Sequence, residues 1–495
     1  KKFLNFYSLL FSNQSIDENF LYSNIFEKSP FKINLYHALQ LFVLIDLLKK
    51  EKIYITEIDI KNRALCEATK KALGFDNKNI YLYKNIIKNF FSSIKFLIKF
   101  TITLVKTKKV NKNLNCKRIF FIFGNMFTSY FPKSFKQKNT IVFNCNFLNT
   151  SNIQNSNILS YFSFYNFLQL INCFLKIVFG SLKNTKNYSL LLNSKYSFLT
   201  TLWHYDFLKS YCGAIALENF IFNKCFNNIK KKILFKNRKI KIFHTCEFSN
   251  WEFILNKVFN KINFETYGYV HSTLRYWVLN YFFTKKIYKK LDDNEYVPNN
   301  ILVNSFFQKK VFSNYIPQNK IKVVEATRFD YLVNVNKKIK KLKTKITNKV
   351  KKVLILGEID NDTNKYLIEY ALNLSKKHSF KIFFKNHPSS VSKIIKLNNC
   401  KILKKKEYKK IYYNYDLYIT SCTSAAIEFC FLKKRIIIFN YNKLNLSPLY
   451  HYFKYNFIKD INYKKIFFKN RVNLKKYFIF NKKYILWKKL LNENT

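Results

Sequence analysis

The stretch YDLYITSCTSAAIEFCFLKKRIIIFN, residues 415–440, reads as strand, turn, helix and strand. LYITS (417–421) and RIIIFN (435–440) are short apolar runs rich in β-branched residues, and helical spacing fills Ser424 to Leu432 between them. Two apolar strands joined through a helix form a βαβ unit, in which the strands run parallel and are covered on both faces. The first run stops at Ser421, Thr423 and Ser424, with no glycine there to ease a turn. In a parallel sheet, ligands bind beyond the carboxyl ends of the strands, and this polar knot falls at such an end.

The same alternation extends upstream. KVLILGEI (352–359) is a buried strand, TNKYLIEYALNLSKKH (363–378) a helix and FKIFFKNH (380–387) the next strand. The fold class is therefore α/β with a parallel sheet. RIFFIFGN (118–125), TIVFNCNF (140–147) and KIKIFHTCEF (239–248) are further strands, set among long stretches rich in Lys and Asn. The lysine-dense NKKIKKLKTKITNKVKK (336–352) has few large apolar residues and reads as an interdomain linker. The expected division is an N-terminal domain over 1–335, the linker over 336–352, a C-terminal domain over 353–475 and a helical tail over 476–495. A chain of 495 residues is too long for one core, which agrees with two domains.

The formal net charge is +60, carried mostly by lysine spread over the whole length, while arginine stands only at 63, 118, 238, 275, 328, 435 and 471. Such a field draws anions. Specific nucleic-acid readers concentrate charge in arms or stripes and favour arginine for bidentate contacts, so this distribution argues against nucleic acid as a specific partner. The ten cysteines never form CxxC and never pair with His at zinc-ligand spacing. Scattered reduced thiols point to the cytoplasm. The opening KKFLNF has neither Met nor a signal-peptide pattern, so the true start is expected to lie upstream.

Two apolar stretches bear on membranes. YFSFYNFLQLINCFLKIVFG (161–180) carries Asn166, Gln169, Asn172 and Lys176 and reads as a buried helix. In NFFSSIKFLIKFTITLVKTKK (89–109), Phe91, Ile94, Ile98, Ile102 and Val105 share one helical stripe flanked by Lys95, Lys99 and Lys106. That pattern fits a helix lying on an anionic membrane surface and also an ordinary solvated helix.

Polar clusters end three strands of the C-terminal half. In TSCTS a helix start offers free N–H groups, a positive dipole end and the hydroxyls of Thr423 and Ser424 to a phosphate; a plain N-cap with Glu428 bonding locally is the other reading. KNHPSS places Lys385 and His387 at a strand end with Pro388 setting the turn, a combination able to neutralise a leaving phosphate. GEIDND holds Asp360 and Asp362, formally a metal-binding DxD, yet the pair abuts a helix start where an Asp or Thr363 serves as N-cap, and no metal site is assigned. No GxGxxG and no GxxxxGK[ST] occurs, which disfavours dinucleotide and P-loop sites. In the first half, Glu247 follows a strand in FHTCEFSNWEF, and His271 follows another in YGYVHSTLRYW, just before Ser272, Thr273 and the scarce Arg275. Each also fits a structural role, a helix-start carboxylate and a packed turn residue.

Residues 240–440 resemble the GT-B glycosyltransferases of surface polysaccharide synthesis, including capsule enzymes that use CMP-sugars and the related CDP-glycerol glycerophosphotransferases. His387 and Pro388 match their HP motif, Thr423 and Ser424 their paired Ser/Thr motif, and Glu428 falls where an acidic residue follows. VVEATRFDYL is similar to the segment that ends their first domain, with Arg328 and Asp330 matching and Glu325 and Thr327 departing from it. VHSTLRYW resembles their histidine loop, which puts His271 at the catalytic position with Ser272 in place of the customary Gly. TCEFSNWEF together with GYVHSTLRYW is similar to a poorly characterised surface-carbohydrate biosynthesis family.

The resemblance implies a GT-B-like fold, two Rossmann-like domains with parallel sheets facing a central cleft. It implies that 353–475 binds a nucleotide-sugar donor, probed by Lys385, His387, Pro388, Ser421, Thr423, Ser424, Glu428 and Arg328, and that 1–335 reads a glycan or lipid-linked acceptor. Catalysis would fall to His271, with Glu247 the alternative base, and neither metal nor separate cofactor is expected. The expected place is the cytoplasm, on the inner face of the membrane if the 89–109 helix binds it. A polyol-phosphate transferase shares the HP and Ser/Thr loops but attacks phosphorus, and a non-enzymatic basic protein on membrane or nucleic acid is the rival from another class. A UDP-sugar 2-epimerase shares the fold, but no DSGG-like loop is present.

Overall fold

In a computed structural model the chain forms two compact units. The structure describes residues 18–28, 35–51, 60, 63–74, 80–107, 110, 113–122, 130–132, 135, 139–144, 158–165, 168–172, 175, 197–234, 239–274, 278–341, 351–359, 361–388, 394, 399–432, 434–439, 478–481 and 483–491. The first unit comprises Lys1–Val270, Val278–Val303 and Lys309–Lys322, and the second His271–Trp277, Asn304–Gln308 and Val323–Thr495.

Seven strands build the first sheet: β1 Arg118–Ile122, β2 Thr140–Asn144, β3 Ile158–Ser160, β4 Ile240–Thr245, β5 Phe264–Val270, β6 Asn300–Val303 and β7 Ile321–Val323. Their spatial order is β3-β2-β1-β4-β5-β6-β7, and every pair from β3 through β6 is parallel. The abundance of phenylalanine is put to use here. Phe120, Phe243 and Tyr267 share one register row across β1, β4 and β5 and stack at 4.8 and 4.9 Å, while Phe121 stacks on Phe143 at 5.1 Å. Such pairs add about 0.5–1.5 kcal/mol each beyond burial. The longer helices described in this unit are α1 Leu35–Glu51, α2 Arg63–Ala72, α3 Ile80–Lys106, α4 Ser197–Cys212, α5 Ala214–Lys232, α6 Asn250–Phe259 and α7 Lys285–Asp293. Of the stretch 161–180, expected as a buried helix, Tyr161–Phe164 is instead a buried 3-10 turn, 168–172 are helical with Leu170 buried but Leu168 and Ile171 exposed, and 166–167, 173–174 and 176–180 lie outside the described residues.

One buried cation in this unit carries a prediction. Lys28 closes the short helix Asn24–Glu27 and is 2 % exposed, its Nζ 4.1 Å from the centre of the Phe283 ring and 4.9 Å from that of Phe26. Burial lowers its pKa from the usual 10.5 to about 7, against the pull of the Glu27 charge. The unfolded chain then holds a proton that the folded chain lacks between those values, so stability rises with pH across that window and is flat below it. Lys28→Met is expected to stabilise the protein at pH 7, by up to roughly 5 kcal/mol, and to flatten the slope between pH 7 and 10.5. Urea midpoints at pH 7 and pH 10 check both; an unchanged slope would refute the assignment.

The second unit is the α/β sheet read from the sequence. It contains β8 Lys352–Leu356, β9 Lys381–Lys385, β10 Cys400–Ile402, β11 Leu417–Thr420 and β12 Arg435–Ile438, in the order β10-β9-β8-β11-β12 and parallel throughout. Val353, Ile355, Ile382, Leu417 and Ile419 pack under Leu367, Ala371 and Leu374 of α9 (Asn361–His378). Leu354, Leu356, Tyr418 and Ile436 bury the other face with Phe429 of α10 (Ala425–Phe431). Burial on both faces is why these strands are apolar without alternation. Two Rossmann-like units with parallel sheets are thus present, as a GT-B-like α/β chain requires.

Of the expected linker, 336–341 form the last turns of α8 (Asp330–Lys341), and 342–350 lie outside the described residues. The tail contributes α11 (Ile485–Leu491). The fully buried Glu325 carboxylate accepts the amides of Leu486 and Trp487 at 2.9 and 3.1 Å, capping the start of that helix, and Tyr484 donates its hydroxyl to Asp330. Glu325 therefore holds the tail in place.

Candidate functional site

Parallel sheets bind ligands where the strand order reverses, because the loops on either side of that point leave a crevice at the carboxyl ends. In the five-stranded sheet the reversal lies between β8 and β11. The loop after β8 is GEIDND and the loop after β11 is TSCTS.

These loops are tied together by Glu358. Its Oε1 accepts the amides of Ser421, Cys422 and Thr423 at 3.0, 2.9 and 3.0 Å, and its Oε2 accepts the Cys422 thiol at 3.1 Å. Burial pushes the Glu358 pKa up, opposed by those donors, Cys422 first. Asn364, from the first turns of α9, holds the Glu358 backbone by a reciprocal pair, Glu358 N to Oδ1 at 2.7 Å and Nδ2 to Glu358 O at 3.0 Å. Next to it, Gly357 donates to Lys385 O at 2.8 Å, and a Cβ on Gly357 would lie 2.8 Å from that same oxygen. Only glycine lets the loop after β8 approach the loop after β9 this closely. Asn386 fixes the latter in turn, exchanging two hydrogen bonds with the backbone of Ile394.

From the sequence, the amides before α10 are either free for a phosphate or capped by a hydroxyl. Three of them are engaged by an internal carboxylate instead. Ser424 begins α10 without a side-chain cap, and neither its amide nor its hydroxyl is hydrogen-bonded to another described residue. Ser421 and Thr423 are buried, with Thr423 Oγ1 3.5 Å from the Ala425 amide.

Charge gathers one turn further on. Glu428, in α10, does not bond locally: its Oε2 accepts the Tyr412 hydroxyl at 2.8 Å, and Tyr412 lies 3.2 Å, oxygen to oxygen, from Tyr331. Burial raises the Glu428 pKa, and the Tyr331 and Tyr412 hydroxyls and the Arg328 and Lys385 charges pull it back down. Lys385 ends β9 half-buried, its Nζ 4.8 Å from the centre of the Tyr408 ring. Burial lowers its pKa and the Glu428 charge raises it. Arg328 and Lys385 thus both act on one carboxylate, two cations to one anion, a balance of charge that could accept a phosphate. His387 is half-buried just past Lys385, and Pro388 is exposed.

Of the predicted residues, Arg328, Lys385 and Glu428 are brought into one electrostatic group, with Ser421, Thr423 and Ser424 in the loop that leads into it. Sequence reasoning missed Glu358, Tyr331 and Tyr412. Glu358 stood beside the more conspicuous Asp360 and Asp362, and the tyrosines are two among 35. Asp360 lies outside the described residues; Asp362 falls in the first turn of α9. Among the described residues no three His, Cys, Asp or Glu side chains gather as a metal ion would need.

In the seven-stranded sheet the order reverses between β1 and β4, and Glu247 follows β4 there. Glu247 is exposed, but its backbone is fixed: the buried Glu252 carboxylate accepts the Glu247 and Ser249 amides at 2.8 and 3.1 Å, and Asn280 donates to Glu247 O at 2.6 Å. Phe248, next in the chain, takes a left-handed φ of 53°, a strained setting for an aromatic residue. His271 follows β5, is 5 % exposed and groups with the second unit.

No protein-family model matches the chain. No curated protein matches it either. Among solved structures, the UDP-N-acetylglucosamine 2-epimerase from Rickettsia bellii aligns over 65% of this chain and 78% of its own, with 10% identity and a TM-score of 0.38. The glycotransferase of kitacinnamycin aligns over 67% of this chain and 82% of its own, with 8% identity and a TM-score of 0.35.

Proposed function

We propose that the chain is a metal-independent glycosyltransferase that moves a sugar from a nucleotide-activated, cytidine-linked donor to a glycan or lipid-linked acceptor in surface polysaccharide synthesis. The observation that carries this reading is the group formed by Lys385, Arg328 and the half-buried Glu428, whose charges act on one another, beside the switch point of a parallel sheet. In the reaction an acceptor hydroxyl oxygen bonds to the anomeric carbon while the bond from that carbon to the donor phosphate breaks. The electron pair passes to the phosphate oxygen, and the hydroxyl proton passes to a base. Lys385, Arg328 and His387 stabilise the growing phosphate charge, and Ser424 donates to it. The Glu358 clamp keeps the Ser421–Thr423 backbone still, so no reorganisation is needed as that charge develops. The base is His271 on the motif; Glu247 is the second reading, favoured by its exposure and rigid backbone at the other switch point.

A thermal-shift screen against CMP, CDP, UDP and GDP tests the donor class. At about 100 times Kd a cytidine nucleotide should stabilise by roughly 2.7 kcal/mol, a rise of several degrees in Tm, and UDP and GDP should do less. The shift should persist in EDTA and shrink in Lys385→Met. No shift with any nucleotide would overturn the proposal; turnover of CDP-glycerol but not of CMP-sugars would reassign it to polyol-phosphate transfer.

A further inference from the structure

Helix α3 carries a polar inner face and an apolar outer one. The residues it points into the protein are mostly polar: Asn85, Asn89, Ser93, Thr103 and Thr107 are all buried. Asn85 reaches His204 of α4 at 3.3 Å, Asn89 donates to Cys212 O at 3.3 Å, and the three hydroxyls bond back onto the helix's own carbonyls. Phe100, fully buried against Phe162 and Tyr165, packs inward, but most of the large apolar residues whose exposure is high lie on the outer face. Ile87, Phe90, Phe91, Ile98, Ile102 and Val105 are exposed, Phe91 by 64 % and Val105 by 81 %. In water the opposite arrangement is favoured, since each such side chain gains about 1.5–3 kcal/mol on burial. A stripe of this kind, roughly 28 Å from end to end, marks a surface with a partner.

The charges say which partner. α3 contains Lys84, Lys88, Lys95, Lys99 and Lys106 and no Asp or Glu, and Lys88, Lys95, Lys99 and Lys106 are exposed alongside the stripe. A second copy seated on the same face would set lysine against lysine, which a two-fold interface cannot avoid. Anionic lipid complements both features: acyl chains accept the apolar side chains, head groups accept the lysines, and the lysine stems reach up to the head groups. No described helix is long and apolar enough to cross a membrane, so α3 would lie in the plane of the interface.

We infer that the outer face of α3 seats the seven-stranded unit on an anionic bilayer surface. The inference stands apart from the catalytic reading, since none of these residues belongs to the candidate site. The full chain is sedimented with vesicles of phosphatidylcholine alone and with 30 mol% phosphatidylglycerol. Partitioning should be at least about tenfold stronger on the anionic vesicles and weaken in 0.5 M salt. Phe91→Asn with Ile98→Asn should lose about another tenfold or more while leaving Tm and nucleotide-induced shifts unchanged, because both side chains face outward. Equal sedimentation of variant and parent would overturn the inference, as would failure of the parent to bind anionic vesicles. A parent dimer made monomeric by the double variant would also overturn it, assigning the face to a second copy.

Discussion

Glu358→Ala is expected to unlock the loop after β11 and abolish donor binding, whereas Glu358→Gln should keep both. The alanine leaves the buried amides of Ser421 and Thr423 and the half-buried amide and thiol of Cys422 without their acceptor. Each buried unsatisfied donor costs about 1–3 kcal/mol, so even with water entering the space the loss is several kcal/mol, a large share of what holds a domain of this size. Hydrogen exchange should quicken about 100-fold or more over 417–432 and stay unchanged over 240–270, in the other unit. Glutamine offers a carbonyl where Oε1 sits. Because burial raises the Glu358 pKa, its contribution is present below the ordinary carboxylate range and is lost as pH rises through the raised value. Glu358→Gln removes that slope, so it should cost least, relative to the parent, at high pH. Glutamine as damaging as alanine would mean that the charge itself holds the loop, reversing the direction given for this group.

That clamp also shows where sequence reading stops. The parallel sheet of the second unit was legible because its strands are buried on both faces: LYITS, RIIIFN, KVLILG and FKIFFK have no solvent face to interrupt them. His271 and Glu247 were legible as strand-end residues because β5 and β4 stop just before them. What Glu358 does depends on a partner 63 residues away, and no local pattern reports which strands become neighbours at a switch point. The same holds for Tyr412 and Tyr331, which meet Glu428 from other elements of the second unit. α3 had a visible stripe, but periodicity fixes only which residues share a face. Which face turns inward was decided by Asn85 and Asn89 finding partners in α4.

Lys385→Met should lower kcat/KM by about 10²- to 10³-fold, the usual cost of removing one preorganised group aimed at developing charge. Arg328→Met should act in the same direction, and the double variant should fall short of the product of the two, because both cations act on one charge group. The pH–rate profile separates this role from plain packing. Burial already lowers the Lys385 pKa and the Glu428 charge holds it up, so Glu428→Gln should lower it further. Activity needs the ammonium, so the basic limb of the profile should move to lower pH in Glu428→Gln while the acidic limb stays. Loss of the proton acceptor has the opposite signature: Glu247→Gln or His271→Asn, whichever removes the base, should abolish the acidic limb and leave nucleotide-induced thermal shifts intact. Unchanged kcat/KM in Lys385→Met would take the phosphate out of this corner of the sheet. A basic limb that stays in place in Glu428→Gln would instead dissolve the coupling between the two residues while leaving the donor site where it is.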